Sequence, residues 1–284
     1  MLRNGTKKDF YINLVFNIVF IAFLAVIMVP MAFMFSASFL KPSEIYKMPY
    51  PWFSKTPYVK NYYNAFTNYG TNLMFPRIIL NSLIVASATT VLSVAVSAFA
   101  GYGLSKFRFK GRNVVFLVIM SRMMIPFEAI MIPMYIIAVK MHLQNTYIGL
   151  VMPFVLNTFG VFQMKQYLES YPDEILDAGR IDGLSEFGIF RRLVVSNSTP
   201  ALATAAILSF RGQWDNLLWP LLVAQKEVMK TIPAYIVKFT EEKIADEGAM
   251  MAVAVIASIP IIILFLTLSN YFFGGSAVYT SGKE

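Results

Sequence analysis

Arg211 and Asp215 are the first residues of this chain whose types and spacing indicate chemistry. They stand four apart in a long apolar stretch, so on a helix they share a face and can form an ion pair. Gln213 and Asn216 add hydrogen-bonding groups, and Trp214 offers a flat apolar face of the kind that stacks on sugar rings. Two interpretations stay open. These residues line a path for a hydroxylated solute, or they form a structural ion pair packed against a partner subunit.

A second charged pair, Arg122 and Glu128, lies in another apolar stretch. The two residues are six apart, which places them on different faces of a straight helix, but Pro126 lies between them and Pro133 follows. Broken backbone at membrane depth must line protein or water. Arg122 could therefore meet an acidic group on a solute or pair with carbonyls or a carboxylate of a neighbouring segment, and the second interpretation is favoured. Asn157, a polar residue in a further apolar stretch, joins the candidate set.

Other kinds of chemistry find no support in the residues. The chain contains no cysteine, which excludes thiol catalysis, disulfides and sulfur-ligated metals. His142 is the only histidine, so no metal site is expected. The sequence has no Gly-x-x-x-x-Gly-Lys-Ser/Thr phosphate loop and no convergent set of nucleophile and base, so the chain is not expected to be an enzyme or to bind a cofactor. A net charge of +8 is modest, and no nucleic-acid partner is expected.

The elements that must hold these residues are membrane-spanning helices. Hydrophobic residues make up 57% of the chain and charged residues only 14%, whereas soluble domains carry roughly 25% charged residues. A spanning helix needs about 20 mostly apolar residues. The sequence predicts six spans, two of them with internal charges: Tyr11–Leu40, Ile78–Leu104, Asn113–Val139, Thr146–Met164, Ala201–Val223 and Met250–Phe273.

The distribution of basic residues predicts the orientation of these spans. The run "KFRFKGR", Lys106 to Arg112, is the densest short basic connection, and short basic loops face the cytoplasm. The protein is then expected in the cytoplasmic (inner) membrane of the cell. Both of its termini are expected on the cytoplasmic side. Outside, Lys41–Pro76 is predicted to be an ordered loop, and Gln225–Ala249 is long enough for a short amphipathic helix.

The stretch "YPDEILDAGRIDGLSEFGIFRR", Tyr171–Arg192, is polar although it lies between apolar runs. Ser170 and Asp173 have the spacing of a capping box, and Gly183 is a plausible helix stop. A second short helix is predicted from Ser185 to about Val195. The residues allow two interpretations of this helix-turn-helix: an amphipathic linker on the lipid headgroups, or a docking element for a cytoplasmic partner.

The run from Asn145 to Phe210 that contains this stretch resembles the permease subunits of ATP-binding-cassette importers, in their carbohydrate-uptake branch and of the six-span type found in maltose importers. "DAGRIDG", Asp177 to Gly183, stands where that family has its Glu-Ala-Ala…Gly loop, with Asp177 in place of Glu and Gly179 in place of the second Ala. "GQWDNLLWPLLV", "TIP" and "MMAVAVIASIPIIILF" resemble later landmarks of the family. Ser196 replaces a proline that commonly follows the second short helix.

The resemblance implies an all-α polytopic membrane protein, the type I importer permease fold, with one transmembrane domain over 1–284. The chain would have six transmembrane helices and a cytoplasmic coupling loop at 170–196, which sits in a groove of the ATPase subunit in that family. Small residues at Ala178 and Gly179 would let a partner approach closely. The residues implied to couple to the ATPase are Glu174, Asp177, Ala178, Gly179, Asp182, Gly183, Phe187, Phe190 and Arg191.

The resemblance also implies the partners and the function. These are a second homologous permease, two ATPase subunits that use ATP and Mg, and an extracytoplasmic solute-binding protein that Gln225–Ala249 is expected to touch. The implied function is uptake of a sugar or oligosaccharide. Alternatives are an acidic solute such as a uronate oligosaccharide or glycerol phosphate and, less favoured, a secondary transporter, since no repeated broken helices are evident in the sequence.

Overall fold

The computed structural model describes residues 7–70, 73–240 and 246–274, and within these ranges the regular structure is entirely helical. The predicted all-α class is confirmed. The α-helices are α1 Lys7–Ala37, α2 Pro42–Ile45, α3 Lys60–Thr67, α4 Phe75–Lys106, α5 Arg112–Ser121, α6 Phe127–Lys140, α7 Tyr147–Val151, α8 Thr158–Glu169, α9 Asp173–Ile181, α10 Glu186–Ile189, α11 Val195–Asn197, α12 Thr199–Trp214, α13 Leu218–Val223, α14 Ile232–Ile236 and α15 Glu247–Gly274. Short 3₁₀ segments lie at Arg122–Met124, Met152–Phe154, Glu227–Met229 and Val237–Thr240, and a π-helical turn at Phe190–Val194.

Within the described residues, three continuous helices are long and apolar enough to cross a membrane: Asn13–Ala37 within α1, all of α4, and Glu247–Thr267 within α15. Three further pairs pass the same test but are bent, by 100° between α5 and α6, by 45° between α7 and α8, and by 79° where α12 follows the segment Glu186–Asn197. By length and composition, the described residues hold up to six spans if each bent pair is counted as one, but the third pair joins Glu186–Asn197 to α12 and does not coincide with a predicted span. The predicted span Ala201–Val223 is not one helix, because α12 ends at Trp214 and α13 begins at Leu218.

The chain divides into two compact units. The first contains Met1–Leu73 and Lys238–Ile256. Its α1 is apolar and exposed on all sides over the central turns, as expected for a helix that faces lipid or another subunit. The predicted ordered loop after α1 carries α2 and α3. It is held by Asn61, whose buried side-chain amide donates to the carbonyls of Ser38 and Leu40 at 2.9 and 2.7 Å.

A buried carboxylate also organises this first unit. Asp246 accepts hydrogen bonds from the Tyr69 hydroxyl at 2.7 Å and the Asn64 amide at 3.2 Å, and it caps the first turn of α15 through the backbone N–H of Ala249 at 2.9 Å. A side-chain carboxylate at a helix N-terminus satisfies backbone donors that the helix itself leaves unpaired. The polar loop residues therefore fix where α15 starts.

The second unit, Met74–Val237 and Ala257–Glu284, is built around α4. Small residues let α8 and α12 approach α4 closely. An added Cβ at Gly101 would lie 2.6 Å from Met164 Cβ, and one at Gly160 would lie 2.5 Å from the Ser97 hydroxyl. The buried hydroxyls of Ser93 and Ser209 are 2.7 Å apart and join α4 to α12. These contacts are typical of helix packing in membranes, where small residues replace large apolar side chains at interfaces.

Candidate functional sites: a helix-turn-helix and a polar cavity

The polar stretch folds as the predicted helix-turn-helix. Gly183 adopts φ +80°, a conformation that side chains disfavour, and the turn is closed by a hydrogen bond from the Leu184 N–H to the Gly179 carbonyl at 3.0 Å. The Ser185 hydroxyl caps the second helix by accepting from the Gly188 N–H at 3.2 Å. The turn and the start of the second helix thus lie where the sequence places them.

The predicted capping box at the start of α9 is wrong. Pro172 precedes α9 as its N-terminal boundary residue, and no side chain caps the helix there. Ser170 instead ends α8, where its hydroxyl donates to the Tyr167 carbonyl at 2.8 Å. The start of α9 is held from outside, because Lys106 at the end of α4 donates to the Tyr171 carbonyl at 2.6 Å and to the Asp173 carboxylate at 2.5 Å.

Gly179 does not face outwards, which corrects the expectation that it lets a partner approach. A Cβ at this position would lie 2.7 Å from Leu193 Cδ1, 3.4 Å from Ile189 Cγ1 and 3.6 Å from Leu184 Cδ1. Those side chains belong to the turn and the second helix of the same chain. The glycine therefore allows the two short helices of the loop to pack against each other, whereas Ala178 beside it is exposed.

Phe190 is also turned inwards. It is buried, and its ring centroid lies 4.3 Å from that of Phe99 in a nearly parallel stack and 5.5 Å from that of Tyr102. Together with Met164, Leu168, Leu176 and neighbouring residues it forms the apolar cluster under the loop. Phe190 thus anchors the second helix to α4 and is not available to a cytoplasmic partner.

The face that the loop presents to solvent carries apolar, acidic and basic side chains. Ile181 is 86% exposed and Phe187 is 63% exposed, and both lie among charged residues of the same loop. The other predicted coupling residues on the exposed surface are Glu174, Asp177, Ala178, Asp182, Gly183 and Arg191. Ile181 was missed in the sequence, although an isolated apolar residue between Arg180 and Asp182 at a helix end was a readable signal.

A charged network fixes the two short helices to each other. Arg180 donates to Asp177 at 2.6 Å and to Glu186 at 2.8 Å, and the Tyr102 hydroxyl donates to Glu186 at 3.0 Å. The hydrogen bond from Arg180 lowers the pKa of Glu186. In the same way, the hydrogen bond and the charge of Lys106 lower the pKa of Asp173. Lys106, Tyr102 and Glu186 were not identified as functional from the sequence, since their partners are distant along the chain.

The second site is an open cavity of about 620 Å³ in the second unit. Three helix breaks meet around it: Ile125–Pro126 between α5 and α6, Val155–Asn157 before α8, and Asp215–Leu217 between α12 and α13. Six of the predicted pathway residues line this cavity: Arg122, Glu128, Asn157, Gln213, Asp215 and Asn216. Polar residues that are far apart in the sequence are thus brought together where the helices are interrupted.

Two of the predicted pathway residues do not line the cavity. Trp214 is buried, stacks on Phe210 at 5.5 Å and donates its indole N–H to the Ala257 carbonyl at 3.1 Å, so the expectation that it stacks on a sugar is wrong in this structure. Arg211 is not among the lining residues and lies 3.5 Å from Asp215, with both side chains largely exposed. The aromatic wall of the cavity comes instead from Phe127, Phe154 and Phe159.

Arg122 makes contacts with carbonyl groups of the kind that the favoured interpretation expects, and it also lines the cavity. Its guanidinium donates to the carbonyl of Leu156 at 2.6 Å and to that of Pro153 at 3.3 Å. Both carbonyls lie at the break before α8, where no regular helix satisfies them. The Asn157 side-chain oxygen accepts from the Gly160 N–H at 3.0 Å and so caps α8. Backbone groups freed by a break at membrane depth are satisfied here by side chains.

The remaining polar residues of the lining are less constrained. Asn216 donates to the Gln213 side-chain oxygen at 3.4 Å, a long hydrogen bond. Glu128, in the first turn of α6, is exposed and forms no ion pair or hydrogen bond with the part of the chain that the structure describes. The cavity therefore contains the carboxylate of Glu128 and the side-chain amides of Gln213 and Asn216, which form no hydrogen bond with backbone groups of the described residues.

Comparison with known proteins places these features in a family. Residues 93–274 match the model of the binding-protein-dependent transport system inner membrane component. The arabinooligosaccharides transport system permease protein of Bacillus subtilis is 36% identical over 198 residues, which are 70% of each chain. The protein of the same description from Halalkalibacterium halodurans is 34% identical over 261 residues, 91% of this chain and 92% of its own.

A solved structure has the same fold. A chain of a bacterial ABC transporter involved in the import of the acidic polysaccharide alginate superposes with a TM-score of 0.80 and 22% sequence identity. The match covers 94% of this chain and 99% of that chain.

Proposed function

This chain belongs to the family of binding-protein-dependent transport system inner membrane components, and we propose that it forms one half of the pathway of an ATP-driven importer for a sugar or an oligosaccharide. It is a permease of the ABC importer class, embedded in the membrane by several apolar helices. The sugar is proposed because the arabinooligosaccharide permeases resemble this chain over most of their length.

The observation that carries the proposal is the exposed apolar pair on the helix-turn-helix, Ile181 and Phe187, on a loop that is otherwise firmly held. The Arg180 network joins its two helices, and Lys106 ties α9 to the end of α4. A loop that transmits a movement must be packed firmly against its own chain and must also bind its partner. This loop meets both requirements.

The same loop is connected mechanically to the cavity. After the second short helix, α11 leads directly into α12, whose 16 residues span about 24 Å and carry Ser209, Gly212 and Gln213 in the cavity lining. Movement of the loop by a partner therefore displaces one wall of the cavity. In the proposed cycle, closure of two ATPase subunits on ATP and Mg pulls the loop and opens the cavity outwards, and hydrolysis resets it.

The proposed complex also contains a second permease and an extracytoplasmic solute-binding protein, with both termini of this chain in the cytoplasm. Fewer residues of Gln225–Ala249, the candidate contact with the binding protein, are available at the surface than the sequence suggested. Its residues 241–245 lie outside the described residues, and Met229, Ile232 and Tyr235 are buried. Asn81 of α4 donates to the carbonyls of Val228 and Lys230, both at 2.9 Å. The exposed residues near its start are Gln225, Lys226 and Val228.

The test is whether Ile181 and Phe187 hold the ATPase. We expect Ile181→Asp and Phe187→Asp each to abolish most co-purification of the ATPase subunit and the ATP turnover of the reconstituted complex, because a charge on an apolar contact is buried without a partner. The matched control is Phe53→Asp, which changes a side chain that is 92% exposed in the predicted external loop. Full ATPase binding by both loop variants would overturn the proposal.

A further inference from the structure

A basic loop joins α4 to α5, at the end of a helix that is long enough to cross the membrane. Its basic residues alternate with other residues: Lys106, Arg108, Lys110 and Arg112. Gly111 adopts φ +85° beside an open cavity of about 540 Å³. The cavity is lined by Arg108, Phe109, Gly111, Arg112, Asn113 and Val114. Among the described residues, no acidic side chain belongs to this lining, so the two arginines make it positively charged.

The charges of the loop are not neutralised equally by the rest of the chain. The buried side chain of Lys106 is paired with the Asp173 carboxylate at 2.5 Å, so these two charges offset each other. Arg108 is exposed and forms no hydrogen bond or ion pair with the part of the chain that the structure describes. The pKa of Asp173 is lowered mainly by the hydrogen bond and the charge of Lys106, and the charge of Arg108 adds a smaller effect. Arg112 donates to the Ser105 carbonyl at 3.5 Å, a long hydrogen bond, so the two arginines keep most of their N–H donors for a ligand.

Directly after the cavity, one side of α5 is apolar and exposed. Val114, Val115, Leu117 and Val118 are between 45% and 65% exposed, and α5 contains no buried residue. Because residues three and four apart are neighbours on a helix, these side chains form one continuous apolar face. α5 and α6 together are long and apolar enough to cross the membrane as a bent span, so this face lies at the level of the hydrocarbon. A ligand that fits both the cavity and the face has an anionic head and hydrocarbon chains.

We propose that the basic loop and this face of α5 bind an anionic phospholipid of the surrounding membrane. The headgroup phosphate lies between Arg108 and Arg112, whose guanidinium groups donate to phosphate oxygens, and the acyl chains run along α5. Basic clusters at the end of a membrane-crossing helix are a general recognition element for anionic lipids. A water-soluble acidic partner would satisfy the arginines, but it would not cover an apolar face that continues into the bilayer. The inference requires a membrane location and no particular solute.

The test is photo-cross-linking of lipid to the protein, reconstituted with the subunits that co-purify with it. Two probes are compared in trace amount in phosphatidylcholine vesicles: phosphatidylglycerol and phosphatidylcholine, each with the same photoactivatable group on the same acyl chain. Trypsin cleaves after Arg112 and Arg122, so the peptide 113–122 contains all of α5 except its first residue. The mass of this peptide therefore reports lipid that is bound along α5.

We expect the phosphatidylglycerol probe to label this peptide several times more than the phosphatidylcholine probe. Arg108→Gln should lower labelling by phosphatidylglycerol about fivefold, the contribution of one basic residue near an anionic lipid, and should leave labelling by phosphatidylcholine nearly unchanged. The matched control is Lys110→Gln, which removes the same charge from the same exposed loop, although Lys110 does not line the cavity. This control should have little effect, and both variants keep the tryptic sites at 112 and 122.

Equal labelling by the two probes would overturn the inference, and so would an equal loss in Arg108→Gln and Lys110→Gln, which would indicate a general attraction to positive charge. Inorganic phosphate, compared with sodium chloride at the same ionic strength, should not displace the phosphatidylglycerol probe. Displacement by phosphate would instead identify a site for a free anion and would contradict the proposal. If both probes label the exposed α1 but neither labels peptide 113–122, another subunit covers α5 and the proposal is wrong.

Discussion

Because Gly179 packs inwards against Leu193, we expect a smaller residue at position 193 to rescue a larger residue at position 179. No such rescue is expected if Gly179 faces a partner. A Cβ here would already lie 2.7 Å from Leu193 Cδ1, about 1 Å closer than an ordinary carbon–carbon contact. Gly179→Leu adds four carbons in a space that Leu193, Ile189 and Leu184 occupy, and overpacking of this kind costs about 1–3 kcal/mol. Leu193→Ala alone removes three carbons from the same half-buried site. We expect the double variant, which moves a leucine from one short helix to the other, to recover much of the loss.

The assay is ATPase co-purification and ATP turnover of the reconstituted complex for the parent, the two single variants and the double variant. We expect Gly179→Leu to lose most of the bound ATPase because the two short helices separate, and the double variant to regain at least half. In the double-mutant cycle of Gly179→Leu and Leu193→Ala, the coupling free energy should favour the double variant by about 1–2 kcal/mol. Gly179→Ala should be tolerated, since better helix propensity offsets a small shift of the flexible Leu193 side chain.

The refuting result is a double variant that is no better than Gly179→Leu. In that case, position 179 acts by blocking the partner directly, as the small-residue face in the sequence suggested, and Leu193 is irrelevant. Hydrogen exchange of the loop in the isolated permease distinguishes the two causes further. An internal clash accelerates exchange in α9 without any ATPase present, whereas a blocked docking surface leaves it unchanged.

Two further predictions concern the start of α9 and the exposed side chain of Val228. The contact with Lys106 lowers the pKa of Asp173, so it stabilises α9 above the ordinary carboxyl pKa, and this stabilisation is lost as the pH falls through the lowered value. After correction for the intrinsic exchange rate at each pH, the protection of the α9 amides from hydrogen exchange should fall in that acidic window by at most about 1 kcal/mol, because the Asp173 side chain is 74% exposed although that of Lys106 is buried. Lys106→Gln should remove this pH dependence, and an unaltered profile in that variant would contradict the prediction. Val228→Asp should reduce the stimulation of ATP turnover by loaded binding protein severalfold without changing basal turnover, and undiminished stimulation would exclude this side chain, 48% exposed, from the contact.

Sequence patterns predicted the elements whose signals are local. The charge-free run Ile78–Leu104 lies within α4, Pro126 marks the break between α5 and α6, and Gly183 adopts the left-handed turn expected of it. Each of these depends on one stretch of chain: apolar length, a missing N–H, or a conformation open to glycine. The fold class follows from such signals together.

The sequence could not predict which surface each residue faces. Gly179 and Ala178 are adjacent small residues, and only the position of Leu193 shows that the glycine packs inwards while the alanine is exposed. Phe187 and Phe190 belong to the same apolar stripe, yet Phe190 is buried against Phe99 and Phe187 is mostly exposed. Helical periodicity identifies a face but does not tell whether its partner is the same chain or another protein.

The polar residues inside the membrane show why structural and functional interpretations were so hard to separate. A broken helix at membrane depth needs polar side chains to satisfy its freed backbone groups, and a solute path needs polar side chains as well. Both requirements therefore place the same residue types at the same positions. The criterion that separates them is whether the hydrogen-bonding capacity is already used. Two of the five N–H groups of Arg122 donate to Leu156 and Pro153, so this side chain supports the break. Glu128 lines the same cavity without a bonded partner in the described part of the chain, so its charge remains available to act on whatever enters.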